Sequence, residues 1–284
     1  PMGGVAIFLG FILSTIIATD GYSFDSLKYI IASIILMFFI GLKDDLLNIS
    51  ARKKFIVQIF AVALLILLGN VHLNHLHGIL GIDLVTPVIG ILLTLFIMLA
   101  IVNAYNLIDG IDGLAASLAM LAASAFGIWF YLAGHFQMAV MSFALTGSLA
   151  GFFLYNVFGK TNKLFMGDAG SLVIGLVIAT LAVKFNELNA ISFAIVIVPL
   201  IDTLRVMTIR LLKKKSPFTP DKNHIHHRLL ELVPSHLAVT VLMVSANVFL
   251  IGISVLLGYL NLNVTLQFIF TFLLAILLSF VPSQ

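Results

Sequence analysis

Asp44 and Asp45 stand side by side directly after an apolar block that ends in Gly41-Leu42-Lys43. Adjacent carboxylates repel, and keeping both near an apolar interior requires a cation, a proton or solvent. Arg52-Lys53-Lys54 follows shortly after, so a solvated, charged helix end accounts for two adjacent acids equally well. The other polar groups shift that balance. In the stretch NAYNLIDGIDGL, Asn103, Asn106, Asp109 and Asp112 recur at every third residue. On a continuous helix they form a slanting stripe about 13 Å long at a rise of about 1.5 Å per residue, so one metal ion cannot collect all four. Gly110 and Gly113 argue that the helix frays here and lets backbone approach a ligand. A polar cap between two helices explains one or two of these residues, not four.

Gly167-Asp168-Ala169-Gly170-Ser171 precedes another apolar block. A helix starting after Asp168 is expected to aim free N–H groups at phosphate, although Asp is favoured as an N-cap whatever the function. The glycine and lysine spacing of a P-loop is absent. The segment from Lys213 to Arg228, KKKSPFTPDKNHIHHR, is the longest hydrophilic stretch. Lys213 to Lys215 suit a juxtamembrane patch facing anionic lipid. His224, His226 and His227 offer donors or acceptors to phosphate near neutral pH, and Arg228, with Arg205 and Arg210 near the entry, adds candidates for diphosphate recognition. Zinc is disfavoured, for there is no His-Glu-x-x-His pattern and no cysteine. Hard oxygen donors among basic groups point instead to magnesium and phosphate chemistry. The absence of cysteine also excludes disulfides and thiol nucleophiles, and no basic run interleaved with aromatics supports nucleic-acid binding.

The elements that must position these groups are membrane helices. Of 284 residues, 61% are hydrophobic and 10% charged, an excess that a soluble core cannot hide. The apolar residues fall into ten candidate spans, near 3–19, 27–42, 55–69, 87–103, 114–132, 138–155, 170–184, 190–210, 237–257 and 264–281. Ten crossings sort the loops into two sets. One set holds 43–54, 103–112, 156–168 and 210–236, and with Arg205 assigned to that nearby face it takes every Lys and Arg except Lys28 and Lys184, which makes that set cytoplasmic. Asp44, Asp45, Asp109, Asp112, Asp168, Asp202, Asp221, Glu231 and the histidine run belong to the same side. Residues 70–86 read as a plain loop on the other. The fold class expected is an all-α polytopic bundle, one transmembrane catalytic domain over 1–284. Small residues within the spans permit close helix packing and are compatible with a homodimer.

Taken in order, PMGG at the first residue, GLKDD, NAYNLIDGIDGL, the Asn156 region, GDAGS and HIHH with Arg228 resemble the polyprenyl-phosphate N-acetylhexosamine 1-phosphate transferases. The resemblance covers nearly all of residues 1–230. It implies transfer of a sugar 1-phosphate from a UDP-sugar to a polyprenyl phosphate at the cytoplasmic surface of the bacterial inner membrane, with magnesium required, manganese as a substitute, and UMP released. It implies magnesium binding at Asp168, with Asp44 and Asp45 as the paired acids that activate the lipid phosphate and maintain the metal site. Asn103, Asn106, Asp109 and Asp112 match the motif bordering the nucleotide pocket, Asn156 a further cleft residue, and Lys54 a phosphate-holding base. HIHH is similar to the GlcNAc branch, which implies UDP-GlcNAc as donor and undecaprenyl phosphate as acceptor, in a step that initiates a cell-envelope glycan. His224, His226, His227 and Arg228 are then expected to contact the donor, with Arg205 near them. The resemblance also implies eleven helices, of which this chain is expected to begin after the first. Another UDP-N-acetylhexosamine and a lipid-linked-sugar transporter are the competing readings. A transporter would spread polar groups through the bilayer, whereas these acids gather at one surface.

Overall fold

A computed structural model describes residues 2–19, 26–186, 192–214 and 223–281. Lys215 and Asp221, expected on the cytoplasmic side, lie outside these residues. Twelve helices and one hairpin are seen among them: α1 (Met2–Ala18), α2 (Leu27–Leu47), α3 (Ala51–Leu67), β1 (His75–Ile79), β2 (Ile82–Leu84), α4 (Pro87–Ile108), α5 (Leu114–Leu132), α6 (Phe136–Val157), α7 (Gly167–Asn186), α8 (Ser192–Ile195), α9 (Ile197–Leu212), α10 (Ile225–Leu232), α11 (His236–Tyr259) and α12 (Val264–Phe280). The protein is thus an all-α polytopic membrane bundle. By length and composition, five described helices can cross a membrane: α4, α5, α6, α7 and α11. Nine of the ten expected blocks each lie on one helix, but α1 and α12 are shorter apolar helices, so a count of ten crossings is not established by the helices alone.

Helix α7 is the axis of the bundle. Every side chain from Ala169 to Val183 is buried, as a helix apolar all round must be. With no hydrophobic force between helices in lipid, close approach decides packing. Small residues supply it: a Cβ on Gly41 of α2 would meet the Asp168 carbonyl oxygen at 2.5 Å, and one on Gly175 of α7 would meet Val102 Cα of α4 at 2.7 Å. These contacts bring the ends of α2 and α4 against the start of α7.

The block expected at 190–210 is not one helix. Pro199 cannot donate to the Ile195 carbonyl and its ring crowds that oxygen, so the helix breaks at Val196 between α8 and α9. Asn247 of α11, fully buried, satisfies the break by donating to Ile195 O at 3.1 Å and accepting from Val198 N at 3.4 Å. Broken helices persist at membrane depth when their backbone groups are answered in this way.

Residues 70–86 also depart from the expected loop. They include an antiparallel hairpin pairing His75 with Leu84 and Ile79 with Ile82. Asn186, at the end of α7, donates to His75 O, and Thr265 in the first turn of α12 accepts from Leu80 N and donates to Gly78 O. A helix of α7's length is about 30 Å long, so the hairpin and Asp168 mark opposite ends of the bundle.

Candidate active site

The chain enters the site from the C-terminal end of α2. Asn48, in the left-handed conformation (φ 47°), stops that helix and returns the chain into α3. Asp44 Oδ1 accepts from Ile49 N at 2.6 Å. One turn into α3, Lys54 Nζ donates to Asp44 Oδ2 at 2.9 Å and to Asp168 Oδ2 at 2.6 Å. One ammonium therefore bridges two carboxylates from α2 and α7. Burial works against the Lys54 charge, but the hydrogen bonds it donates to Asp168 and Asp44 outweigh it and raise the Lys54 pKa. Asp44 is held at about 2 by the hydrogen bond in which it is the acceptor from Asp168 and, against the cost of burial, by Lys54 and the Ile49 amide.

Asp45 points elsewhere. Its oxygens accept from Asp168 N at 2.8 Å and Ala169 N at 3.0 Å. The amides at the start of α7, expected to face phosphate, are thus occupied by a protein carboxylate, which the helix dipole favours there. A Cβ on Gly167 would meet Asp45 Oδ2 at 2.7 Å. Asp168 itself is fixed by Lys54 on one oxygen and by Asn106 on the other, and Asn106 also donates to Ser171 Oγ at 2.9 Å.

The four-residue polar stripe divides. Helix α4 continues through Ile108 and unwinds at Asp109 (φ −76°, ψ 54°), while Gly113, at φ 78°, starts α5 in a conformation that favours glycine. Asn106 reaches Asp168, but Asn103 donates to Gln58 Oε1 at 3.0 Å and Leu99 O at 2.7 Å; it ties α3 to α4 and does not border the cavity described below. Among the described residues no hydrogen bond or ion pair reaches the Asp109 carboxylate. Burial, then the charges of Asp168, Asp45 and Asp112, push it up to about 7. Asp112 accepts from Lys163 Nζ at 2.6 Å and from His236 Nδ1 at 2.7 Å. Burial acts to raise Asp112, and these two partners reverse it, leaving the carboxyl below its ordinary value.

A cavity of about 380 Å³ opens beside these acids, walled by the Asp109–Asp112 turn, Asn156, Lys163, Phe165, Gly167 and His236. Asn156 is buried and braces the wall by accepting from Gly113 N and donating to Leu164 O. The exposed Phe165 ring carries Lys163 Nζ at 5.5 Å, a stacking surface next to a cation. Lys163, Phe165 and His236 were absent from the sequence expectations, because nothing local links them to Asp112.

The histidine run forms the first turn of α10. His226 is fully buried and packs on Gly110, where a Cβ would collide with its Nε2. Burial lowers its pKa to about 4 against the charge of Asp202, so the ring is neutral. His227 packs against it with ring centroids 4.3 Å apart at a 45° tilt, and His224 Nδ1 lies 3.0 Å from Asp202 Oδ2. Arg228 reaches Asn223 Oδ1 at 3.4 Å. Arg205, expected near the donor phosphates, is buried in α9 and donates to Asn223 O, which makes it part of the scaffold behind α10.

Residues 27–186 match the family described as glycosyl transferase family 4. The chain belongs to this family, within the polyprenyl-phosphate sugar-1-phosphate transferase superfamily. It is 32% identical over 268 residues to the undecaprenyl-phosphate alpha-N-acetylglucosaminyl 1-phosphate transferase of Salmonella typhi, covering 91% of this chain and 72% of the relative. The protein of the same description from Escherichia coli O157:H7 is 32% identical over 98% of this chain and 77% of its own length. The decaprenyl-phosphate N-acetylglucosaminephosphotransferase of Mycobacterium leprae is 34% identical over 85% of this chain and 69% of its own. Homology thus supports a phosphotransferase-type enzyme acting between a sugar donor and a polyprenyl phosphate.

Proposed function

We propose that this protein transfers N-acetylglucosamine 1-phosphate from UDP-GlcNAc to undecaprenyl phosphate and releases UMP, at the cytoplasmic face of the inner membrane. The observation that carries the reading is the convergence of Asp44, Lys54, Asn106 and Asp168 beside a polar cavity with an aromatic wall. The names of the relatives and the HIHH run support the choice of sugar. The basic loops favour the cytoplasmic orientation, and the ten apolar blocks of the sequence favour ten crossings.

Among the described residues no three His, Asp or Glu side chains converge as a ready-made metal cage. Magnesium rarely needs one, since it takes one or two carboxylates and fills its shell with water and substrate phosphate. Asp109, buried and facing Asp168, Asp45 and Asp112, fits a site that a cation would stabilise. Asp168, with Asp44 and Asp45 near it, would hold the ion, which withdraws charge from the donor phosphates when bound.

In the reaction, an oxygen of the lipid phosphate attacks the β-phosphorus of the donor, and the bond from that phosphorus to the UMP oxygen breaks. Lys54 neutralises phosphate charge at the junction of α2, α3 and α7. Asp44 aligns the acceptor, whereas Asp45, committed to two amides, holds α7 and thereby Asp168. A phosphate monoester is largely ionised near neutrality, so alignment and charge neutralisation outweigh proton removal. The cavity receives the nucleoside, its base against Phe165 and its polar edge toward Lys163, Asp112 and His236. His226, His227 and Arg228 close the donor side. The polyprenyl tail stays in lipid, which avoids the cost of wetting it.

The test is UMP release with mass identification of the lipid product from UDP-GlcNAc, undecaprenyl phosphate and magnesium, beside Asp168→Asn. Product from the parent alone is the expected result. A folded parent inactive across a panel of UDP-N-acetylhexosamines sinks the reading, and activity on another sugar alone overturns the GlcNAc assignment.

A further inference from the structure

Just beyond the break between α8 and α9 stands Asp202, with 1% of its surface exposed. It touches neither the acid cluster nor the cavity described above. A carboxylate in such burial requires partners, and its partners lie mainly in the segment that begins α10. Asp202 Oδ1 accepts from Ile225 N at 2.9 Å, and Oδ2 lies 3.0 Å from His224 Nδ1 and 3.9 Å from His226 Nδ1. Arg205, one turn further along α9, lies 3.8 Å from Oδ1 and donates to Asn223 O at 2.5 Å. Residues 223–226 are thus gripped by a single turn of α9.

The grip answers a need of α10. This helix has eight residues, and its N-cap, His224, makes no capping bond with its own side chain. Short helices are marginal without a cap or tertiary contacts. Asp202 supplies the missing acceptor from another helix. On the opposite side, His226 is pressed against Gly110 with no room for a Cβ between them, and neither of its ring nitrogens makes a hydrogen bond among the described residues. The place of α10 is therefore set from both sides, by Asp202 behind and by the Asp109–Gly110 turn in front.

We propose that Asp202 is a positioning residue for the transfer reaction, holding His224 as the Nδ1–H tautomer and seating α10 so that its histidines meet the donor. The proposal rests on the transferase reading of the site. With the Nδ1 proton donated to Asp202, the Nδ1–H tautomer of His224 carries its lone pair on Nε2. A partner that orients an imidazole in this way contributes about 10- to 100-fold to affinity or activity in comparable metal sites.

The test uses the full chain in lipid nanodiscs, with Asp202→Asn, His224→Gln and the double variant. An asparagine still accepts from Ile225 N but presents an amide N–H to Nδ1, which drives His224 to the Nε2–H tautomer. Selective ¹⁵N-histidine spectra, assigned through His224→Gln, read the tautomer, and calorimetric titration with UMP and UDP-GlcNAc reads binding without turnover. The expected result is a switched tautomer and a loss of about 10- to 100-fold in donor kcat/KM, with the lipid-acceptor KM unchanged. The double variant is expected to be no worse than His224→Gln alone. An unchanged tautomer, losses that multiply in the double variant, or equal losses toward donor and acceptor with a lowered melting temperature would each overturn the proposal. If Asp202→Asn does not fold, Asp202→Glu takes its place: it keeps the charge but shifts α10 by one methylene, and parent-like donor kinetics would then refute the idea. A parent that binds UMP but releases none from any UDP-sugar contradicts the transferase reading instead, and the spectra and titrations still decide whether Asp202 orients His224.

Discussion

Replacing Asp109 with asparagine should make the magnesium-free protein more stable, and only above a defined pH. The carboxyl rises from 3.8 to about 7 because it is buried and faces Asp168, Asp45 and Asp112. The folded state thus binds this proton more tightly than the unfolded state, and stability falls as pH climbs from about 4 through about 7. At about 1.4 kcal/mol for each tenfold change in proton affinity, the ceiling is about 4 kcal/mol. Partial exposure and salt reduce the expected gain for Asp109→Asn to about 1–3 kcal/mol. Melting followed by size-exclusion chromatography of heated samples in chelator would show the variant several degrees above the parent at about pH 8, the gap closing near pH 4. Excess magnesium should narrow the gap at the higher pH, since an ion held at the proposed site would neutralise the acids that oppose Asp109. Parent and variant melting together at about pH 8, or a gap equally wide near pH 4, would refute the argument.

Lys54→Met removes the bridge between Asp44 and Asp168, and transfer should fall by about 100-fold or more. The same change should tighten Mn²⁺ binding by roughly 10-fold in a paramagnetic resonance titration, because the ammonium competes with the ion for those oxygens; weaker binding would contradict the proposed metal site. Gly110→Ala places a methyl group against His226, and donor affinity measured by titration should drop by about 10- to 100-fold while acceptor KM holds. Phe165→Ala should weaken UMP binding by about 10- to 100-fold and Phe165→Tyr should not, as expected of a ring on which a base stacks; equal binding by all three proteins would remove the base from this wall.

The fold was legible wherever one residue class repeats over a whole helix. Apolar blocks marked the bundle, and sorting the charged loops placed Asp44, Asp109 and Asp168 at one end before any contact was known. Features set by single polar residues were harder to see. Pro199 carried a signal for the break at Val196, but the apolar run on either side of it reads as one span until Asn247 is seen to answer the freed backbone. Gly78 and Gly81 mark the hairpin turn, yet its place depends on Asn186 and Thr265, far away in sequence. In the site, the residue types pointed to phosphate chemistry, whereas the pairings could not be read. Asp112 meets His236 across 124 positions, and no local pattern announces such a contact.

The paired acids show why spacing alone is insufficient. Asp44 and Asp45 are the same residue type one position apart, yet consecutive side chains on a helix diverge by about 100°. Asp44 therefore turns to Lys54 and Asp45 to the first amides of α7. This division changes how the site handles phosphate. A helix N-terminus is an anion site only while its N–H groups are free, and Asp45 has closed this one. In the proposed reaction, donor and acceptor phosphates must then be neutralised by Lys54, by the proposed ion and by Arg228 of α10. That makes the grip of Asp202 on α10 part of the site's charge balance and not only of its architecture.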